Sequence, residues 1–462
     1  MREVKDFPNP ISLRKLIGPS FVILALGLGS GEVILWPYLA SNYGLGILWG
    51  AFLGITFQYI INMEIERYTL VTGESVFVGF YKLFKPILFW FIISTFIGFG
   101  LPGIVAASAQ IISHVLGFES FKLLAIFFLI LIGMILSVGK TVYKMMESIT
   151  KTIIIFGVPF ILLLVILLSN PSDFVSAIKG FVGFGDGFIF LPKDIHIATF
   201  LAAFAYSGAG GNLNLTQSLY IKEKGYGMGF YSQKLFSLFS KNRDEEVKID
   251  GFDCKESEEN ISKFKKWWRM ISLEHIFIFW LVGLLSIILL MVLSFTTTYG
   301  IPSNKDGISF VFYESQIIGS ILSPFFGSLF LLVLGVMLFQ TQLGIMDSTS
   351  RIMSENFAIW KVFKKGQKTI KLSLVYSFFV WAQIVFGIIL FLFNIYEPKS
   401  LIITGAVINA FAMFVHTIFI FWLNTTKLPK SFKPSFIRKL LIIFIFSFFG
   451  IFSFIVLFDK LF

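Results

Sequence analysis

Apolar stretches of about 18 or more residues recur from one end of the chain to the other, separated by short polar segments. At 1.5 Å per residue, each is long enough to cross a bilayer as a helix. The pattern predicts eleven spans, at roughly 16–40, 45–66, 87–113, 121–138, 149–168, 195–220, 272–295, 321–344, 371–393, 400–423 and 437–458. The alternating ten-residue segments of a membrane β-barrel are absent. The first stretch is too long for a signal peptide, and no small-residue cleavage site follows it.

Two spans break their own pattern. Span one carries Gly27, Gly29 and Gly31, then Glu32, inside an otherwise apolar segment. Glycine costs a helix interior about 1 kcal/mol against alanine, and a carboxylate at bilayer depth costs ~2.5 kcal/mol or more. A plain anchor has no use for either. Span six carries Gly208, Gly210 and Gly211, then Asn212, Asn214, Thr216 and Gln217. After each break come a short helical segment and a Tyr-Gly-x-Gly corner, at Tyr43 and at Tyr226. Matching Gly-interrupted segments in two halves, running in opposite directions, predict an inverted repeat with a binding site where the helices unwind. Unwinding frees C=O and N–H groups that lipid cannot satisfy. With Glu32 nearby, the carbonyl ends of the first half-helices suit a cation. Glycines serving only close helix packing are the simpler alternative.

Charge adds orientation. Thirty-two of the 38 Lys and Arg residues fall on the side of the N-terminus and the even-numbered loops. The positive-inside rule makes that side cytoplasmic and puts the C-terminus outside, with the plasma membrane the expected location. The same asymmetry accounts for the net charge of +11 without nucleic acid as a partner. Composition agrees, at 56% hydrophobic and 14% charged against about a quarter charged in soluble chains. The single cysteine, Cys254, lies in a polar loop and excludes disulfides and thiolate metal sites. Enzyme motifs and a nucleotide-binding loop are absent from the sequence, so neither catalysis, a cofactor nor ATP-driven transport is expected. The insert 222–271 reads as a solvated loop anchored at lipid headgroups by Trp267 and Trp268.

The residues at these breaks resemble the Nramp family of proton-coupled divalent-metal transporters. Gly18-Pro19-Ser20, Tyr43-Gly44 through Trp49, Arg67 through Ser75 and Phe339 through Ser350 carry the likeness. It implies an all-α polytopic fold of the LeuT type: a first repeat at 16–168, a second at 195–423 and an eleventh helix at 437–458, after a cytoplasmic N-terminus at 1–15. It also implies a site between spans one, six and eight. The family's Asp-Pro-Gly-Asn falls on Gly29, Ser30, Gly31 and Glu32, so the metal-binding aspartate is a glycine here. Its Ala-x-x-Met-Pro-His places Ser207 at the alanine, Gly210 at the methionine and Asn212 at the histidine, and a later histidine falls at Gln217.

The expected substrate site is therefore Gly29, Ser30, Glu32, Ser207, Gly210, Asn212 and Gln340. Gln217, Asn214, Asp347, Asn409 and His416 are candidates for the pathway or for coupling. Losing the thioether weakens selectivity for manganese or iron over magnesium. The expected function is secondary-active transport of a divalent cation by alternating access, with a proton link open. A cation-coupled symporter of a small organic solute and a non-transporting scaffold are the alternatives. Three further expectations concern local contacts. Gln58, Glu64, Glu66 and Arg67 read as a solvated end of span two; His114, His196 and His275 read as interfacial; Arg351 and Glu355 read as an i,i+4 surface pair.

Overall fold

The computed structural model describes residues 3–11, 19–138, 142–233, 249–366 and 370–461. Most are helical. Among the described residues eight helices are long and apolar enough to cross a membrane, or nine when the bent pair Ile155–Leu168 and Pro171–Phe181 counts as one span. Two further expected spans are Phe121–Ser137, an apolar helix just under that length, and 195–220, which is cut in two. The bent pair turns by 118° because Pro171 cannot continue a helix. Asp173 starts the next one by accepting the Asn170 N–H at 2.9 Å.

Both glycine-marked spans are interrupted. Span one is the helix Pro19–Gly27, a turn at Leu28 and Gly29, one wide helical turn over Ser30–Leu35, and the helix Trp36–Tyr43. Span six is the helix Ile197–Ala205, an irregular stretch, a tight turn over Gly211–Leu215 and the helix Thr216–Lys224. Gly208, Gly210 and Gly211 have φ of 114°, 69° and 53°, a region that L side chains rarely adopt. The corner glycines Gly44 and Gly227 also have positive φ, and each opens a single tight turn.

Burial orders the spans from centre to rim. The apolar window of Pro19–Tyr43 is fully buried, whereas that of Phe436–Phe458 is only 33% buried and shows Phe436, Phe444 and Phe458 outward. A helix buried all round sits inside a bundle, and one with a wide exposed apolar face meets lipid. Span eight is one helix of 42 residues, Pro324–Lys365, about 63 Å long against a hydrocarbon core of roughly 30 Å. It extends beyond the expected 321–344 and carries Asp347, Arg351 and Glu355 toward the face rich in Lys and Arg.

On that face the N-terminal segment is clasped. Glu3–Lys5 pairs in parallel with Phe252–Cys254. Phe7 is buried against Phe264 and Phe432 and donates its N–H to Asn260 Oδ1 at 3.0 Å. The expectation that Trp267 and Trp268 anchor in headgroups is corrected here. Trp267 is 1% exposed and donates to the Pro8 carbonyl at 3.0 Å, while the guanidinium groups of Arg67 and Arg438 lie over the Trp268 ring at 3.9 and 4.9 Å. Residues 234–248 of the insert lie outside the described residues.

Cys254 closes this clasp, and burial, with Asp6 and Glu256 nearby, pushes its thiol up to about 11. The thiolate is the species that reacts, so alkylation at neutral pH is expected to be on the order of 100-fold slower in the folded protein than in detergent-denatured protein. Phe7→Ala, which empties the clasp, should speed it. Equal rates in native and denatured wild type would show that the clasp is not formed.

Candidate functional site

The two breaks lie against each other. A Cβ on Gly31 would overlap the Tyr206 carbonyl oxygen, one on Gly27 would crowd the Gly208 backbone, and one on Gly29 would overlap the Thr341 side chain. Close backbone approach requires glycine at Gly27 and Gly31, and the Thr341 side chain requires it at Gly29.

Glu32 joins the breaks. Its side chain is fully buried; Oε1 accepts the Gly208 N–H of span six at 2.8 Å, and Oε2 accepts the Gly29 N–H at 3.5 Å. One carboxylate thus takes a freed donor from each interrupted span, and it sits in the first turn of the second half of span one, whose positive end favours an acid. Two residues that sequence reasoning did not place here complete the junction. Gln58 of span two accepts the Gly210 N–H and donates to the Ala205 carbonyl, both at 2.9 Å. Thr341 of span eight shares its hydroxyl proton between the carbonyls of Leu28 at 3.0 Å and Ala25 at 3.4 Å. Unpaired backbone groups in lipid cost several kcal/mol each, so these side chains allow the helices to stay open.

The other expected site residues divide. Ser30 is buried in the wide turn beside Glu32. Ser207 is buried, but its hydroxyl is committed, accepting from Trp36 Nε1 at 2.8 Å and donating to the Ala203 carbonyl at 3.0 Å. Asn212 donates to Ser94 and Thr95 of span three at 2.8 and 2.9 Å, and its Oδ1 has no partner among the described residues. Gln340 is buried on span eight next to Thr341.

Of the pathway candidates, Gln217 donates to Glu66 at 2.6 Å, and both amide atoms of Asn214 are buried without a partner among the described residues. Asn409 ties span ten to the Gly98 carbonyl at 2.9 Å and to the Tyr206 hydroxyl at 3.0 Å. His416 is buried with neither ring nitrogen bonded among the described residues. Asp347 lies away from the breaks, bound to Arg351 Nε at 2.9 Å and to the Tyr376 hydroxyl at 2.6 Å.

Three expectations are overturned. Arg351 pairs with Asp347 rather than Glu355, whose carboxylate instead accepts from Ser75 at 2.5 Å. His275 is fully buried rather than interfacial, whereas His114 and His196 are exposed. Gln58, Glu64, Glu66 and Arg67 are at most 4% exposed. Gln58 and Glu66 face span six, while Glu64 binds Arg67 at 2.7 Å and Arg438 at 3.0 Å.

The junction is closed on both faces. On the side with few basic residues, Ser41 accepts from Thr298 at 2.9 Å and from Asn304 at 2.8 Å. On the other, Tyr220 of span six bonds Ser348 of span eight at 2.8 Å. Among the described residues no group of three or more His, Cys, Asp and Glu side chains is placed to hold a metal. A cation here would be held by one carboxylate, carbonyls and neutral side-chain oxygens, a donor set that suits hard ions.

A buried carboxylate between two interrupted helices of a helical bundle is the architecture of the LeuT fold. No family model matches the chain, and no curated protein matches it in sequence. Solved structures do. A manganese transporter of Eremococcus coleocola is similar with a TM-score of 0.70 at 11% identity, over 98% of this chain and 89% of that one. The same transporter in complex with an aromatic bis-isothiourea compound matches with a TM-score of 0.69 at 12% identity, over 97% of this chain and 88% of that one. Mhp1, a nucleobase-cation-symport-1 family transporter in a closed conformation with bromovinylhydantoin bound, matches with a TM-score of 0.55 at 11% identity, over 97% and 91%. These likenesses give the fold: an integral membrane protein built like these transporters.

Gly31→Ala forces a methyl group into the Tyr206 carbonyl, and such overpacking costs about 1–3 kcal/mol. A lowered melting temperature in detergent is expected, against little change for Gly319→Ala, where a Cβ meets Pro324 at an ordinary 3.5 Å. Equal melting of both variants would show that the breaks are not in contact.

Proposed function

We propose that this chain is a secondary-active transporter of a divalent cation, a divergent relative of the Nramp family. The ion binds between spans one and six with help from span eight. The observation that carries the reading is Glu32, whose carboxylate lies between the two unwound segments with a hydrogen bond from each. Glu32 supplies the charge. The carbonyls of Ala25 and Leu28, the Thr341 hydroxyl and Asn212 Oδ1 supply neutral oxygen, with Gln340 and Ser30 at the margin of the pocket. The lack of a multi-carboxylate or imidazole cage among the described residues favours an ion that keeps part of its water, such as magnesium, over manganese or iron. The ion is the cargo, and no resident cofactor is invoked. Alternating access would break the Ser41–Thr298–Asn304 and Tyr220–Ser348 closures in turn as spans one and six rock. The protein would sit in the plasma membrane with its basic loops and N-terminus in the cytoplasm.

One observation favours a second reading, a cation-coupled symporter of a small organic solute. Asn212, Ser94 and Thr95 form a neutral hydrogen-bonding cluster at the break, suited to a polar solute. Uptake of magnesium, manganese, iron(II) and amino acids into reconstituted vesicles separates the two. Metal uptake is expected, with apparent affinity weakened about 30-fold in Glu32→Gln, since losing the charge at a buried ion site costs about 2 kcal/mol or more. Metal uptake indifferent to Glu32→Gln would reject the site, and solute uptake without metal uptake would favour the symporter.

A further inference from the structure

A second buried carboxylate lies outside the junction. Gln58, Asn62 and Glu66 recur every four residues on one face of the helix Leu48–Thr72, and that face packs on span six. Gln58 bonds Gly210 at one end, and Glu66 Oε1 accepts from Gln217 Nε2 at 2.6 Å at the other. Between these contacts fall Asn62 on span two and Asn214 on span six. Both are fully buried, and all four of their amide atoms are without a partner among the described residues. Buried amides are almost always hydrogen-bonded, and four unmet polar atoms between two helices are what a bridging water requires. Glu66 Oε2 and Gln217 Oε1 are also buried and unpartnered there. A polar stripe therefore descends from the Glu32 junction to Glu66.

From Glu66 a chain of polar contacts continues through spans seven and one. His275 Nδ1 is 3.6 Å from Glu66 Oε1. The same nitrogen is 2.8 Å from Ser20 Oγ, which is 2.6 Å from Glu274 Oε2. Glu274 is 8% exposed, whereas Glu66, His275 and Ser20 are at most 1% exposed.

We propose that Glu66 is a proton-binding site separate from the Glu32 pocket, loaded through the relay Glu274–Ser20–His275. A proton on Glu274 passes to Ser20 Oγ as the Ser20 hydroxyl proton passes to His275 Nδ1. The imidazolium Nδ1–H then protonates Glu66 Oε1. Glu274 ends ionised, Glu66 ends as a neutral acid, and His275 returns to its neutral form with its proton on Nε2.

The other charged groups nearby are engaged elsewhere. Glu64 and Arg67 point to Arg438 and Phe432. Tyr59 stacks on the His275 ring at 5.6 Å and interacts with both Arg438 and Glu66, and Lys222 of span six interacts with Glu355 and Glu74. Glu66 belongs to span two and Gln217 to the second half of span six, so protonation of Glu66 acts at a seam that the rocking of span six must shear. That coupling role rests on the transport reading; the proton site does not.

Infrared difference spectra between acid and alkaline buffer, recorded on the purified full chain, test the site without any substrate. In a Glu32→Gln background, which removes the other central carboxyl, a protonated-carboxyl band that titrates is expected. Adding Glu66→Gln should remove one component of it, the buried Glu314 and Glu355 supplying the rest, with both proteins eluting as one symmetric peak. Ser20→Ala keeps Glu66 and breaks the relay, and after a pH jump that component should appear at least about tenfold more slowly. A band unchanged by Glu66→Gln, or a Ser20→Ala protein that responds at the wild-type rate, would overturn the proposal. In vesicles, accumulation driven by a pH gradient should fall in Glu66→Gln to its level without a gradient. If the wild type carries nothing, the transport reading fails and the infrared result still decides the proton site.

Discussion

An unwound peptide in a bilayer has no water to turn to, and that constraint shapes this protein. Each interrupted span exposes N–H and C=O groups that would cost several kcal/mol apiece if left unmet. Glu32, Gln58 and Thr341 meet them from three helices, so the openings in spans one and six persist only while spans two and eight stand beside them. The glycines bring the backbones together, and the side chains hold them open. A pocket of this kind cannot be assigned to one helix.

The surrounding bundle follows from the same need. Span one is wholly enclosed, the last helix is mostly exposed, and the long span eight carries both a side chain that steadies the junction and a hydroxyl that closes it, at Thr341 and Ser348. Span two presents one face to span six and another to the Arg438 and Trp268 cluster. It links the interior of the bundle to the clasp around Phe7.

Much of this is legible in the amino-acid order. Gly208, Gly210 and Gly211 announce a break because three glycines followed by a polar run are costly inside a membrane helix, and Glu32 announces a site because of what its burial costs. What is not legible is partnership across the chain. Gln58 and Gly210 are 152 residues apart, and which face of span two meets span six depends on packing that no local window contains. Local composition also misleads: Trp267 and Trp268 sit where headgroup anchors would, but the N-terminal segment covers one and two arginines flank the other. Arg351 has an acid four residues to either side, and tertiary contact with Tyr376 and Ser75 decides which one it takes.

The clasp carries a consequence for biosynthesis. Its two strands are separated by nearly 250 residues, Glu3 lying opposite Phe252, and Phe7 is held by side chains as late as Phe432. A nascent chain emerges from its amino end, so the first helix enters the bilayer long before anything exists to tether it. Its final seat is taken only once Phe432 has been made, and a ribosome stalled anywhere before Phe252 would leave the leading segment adrift.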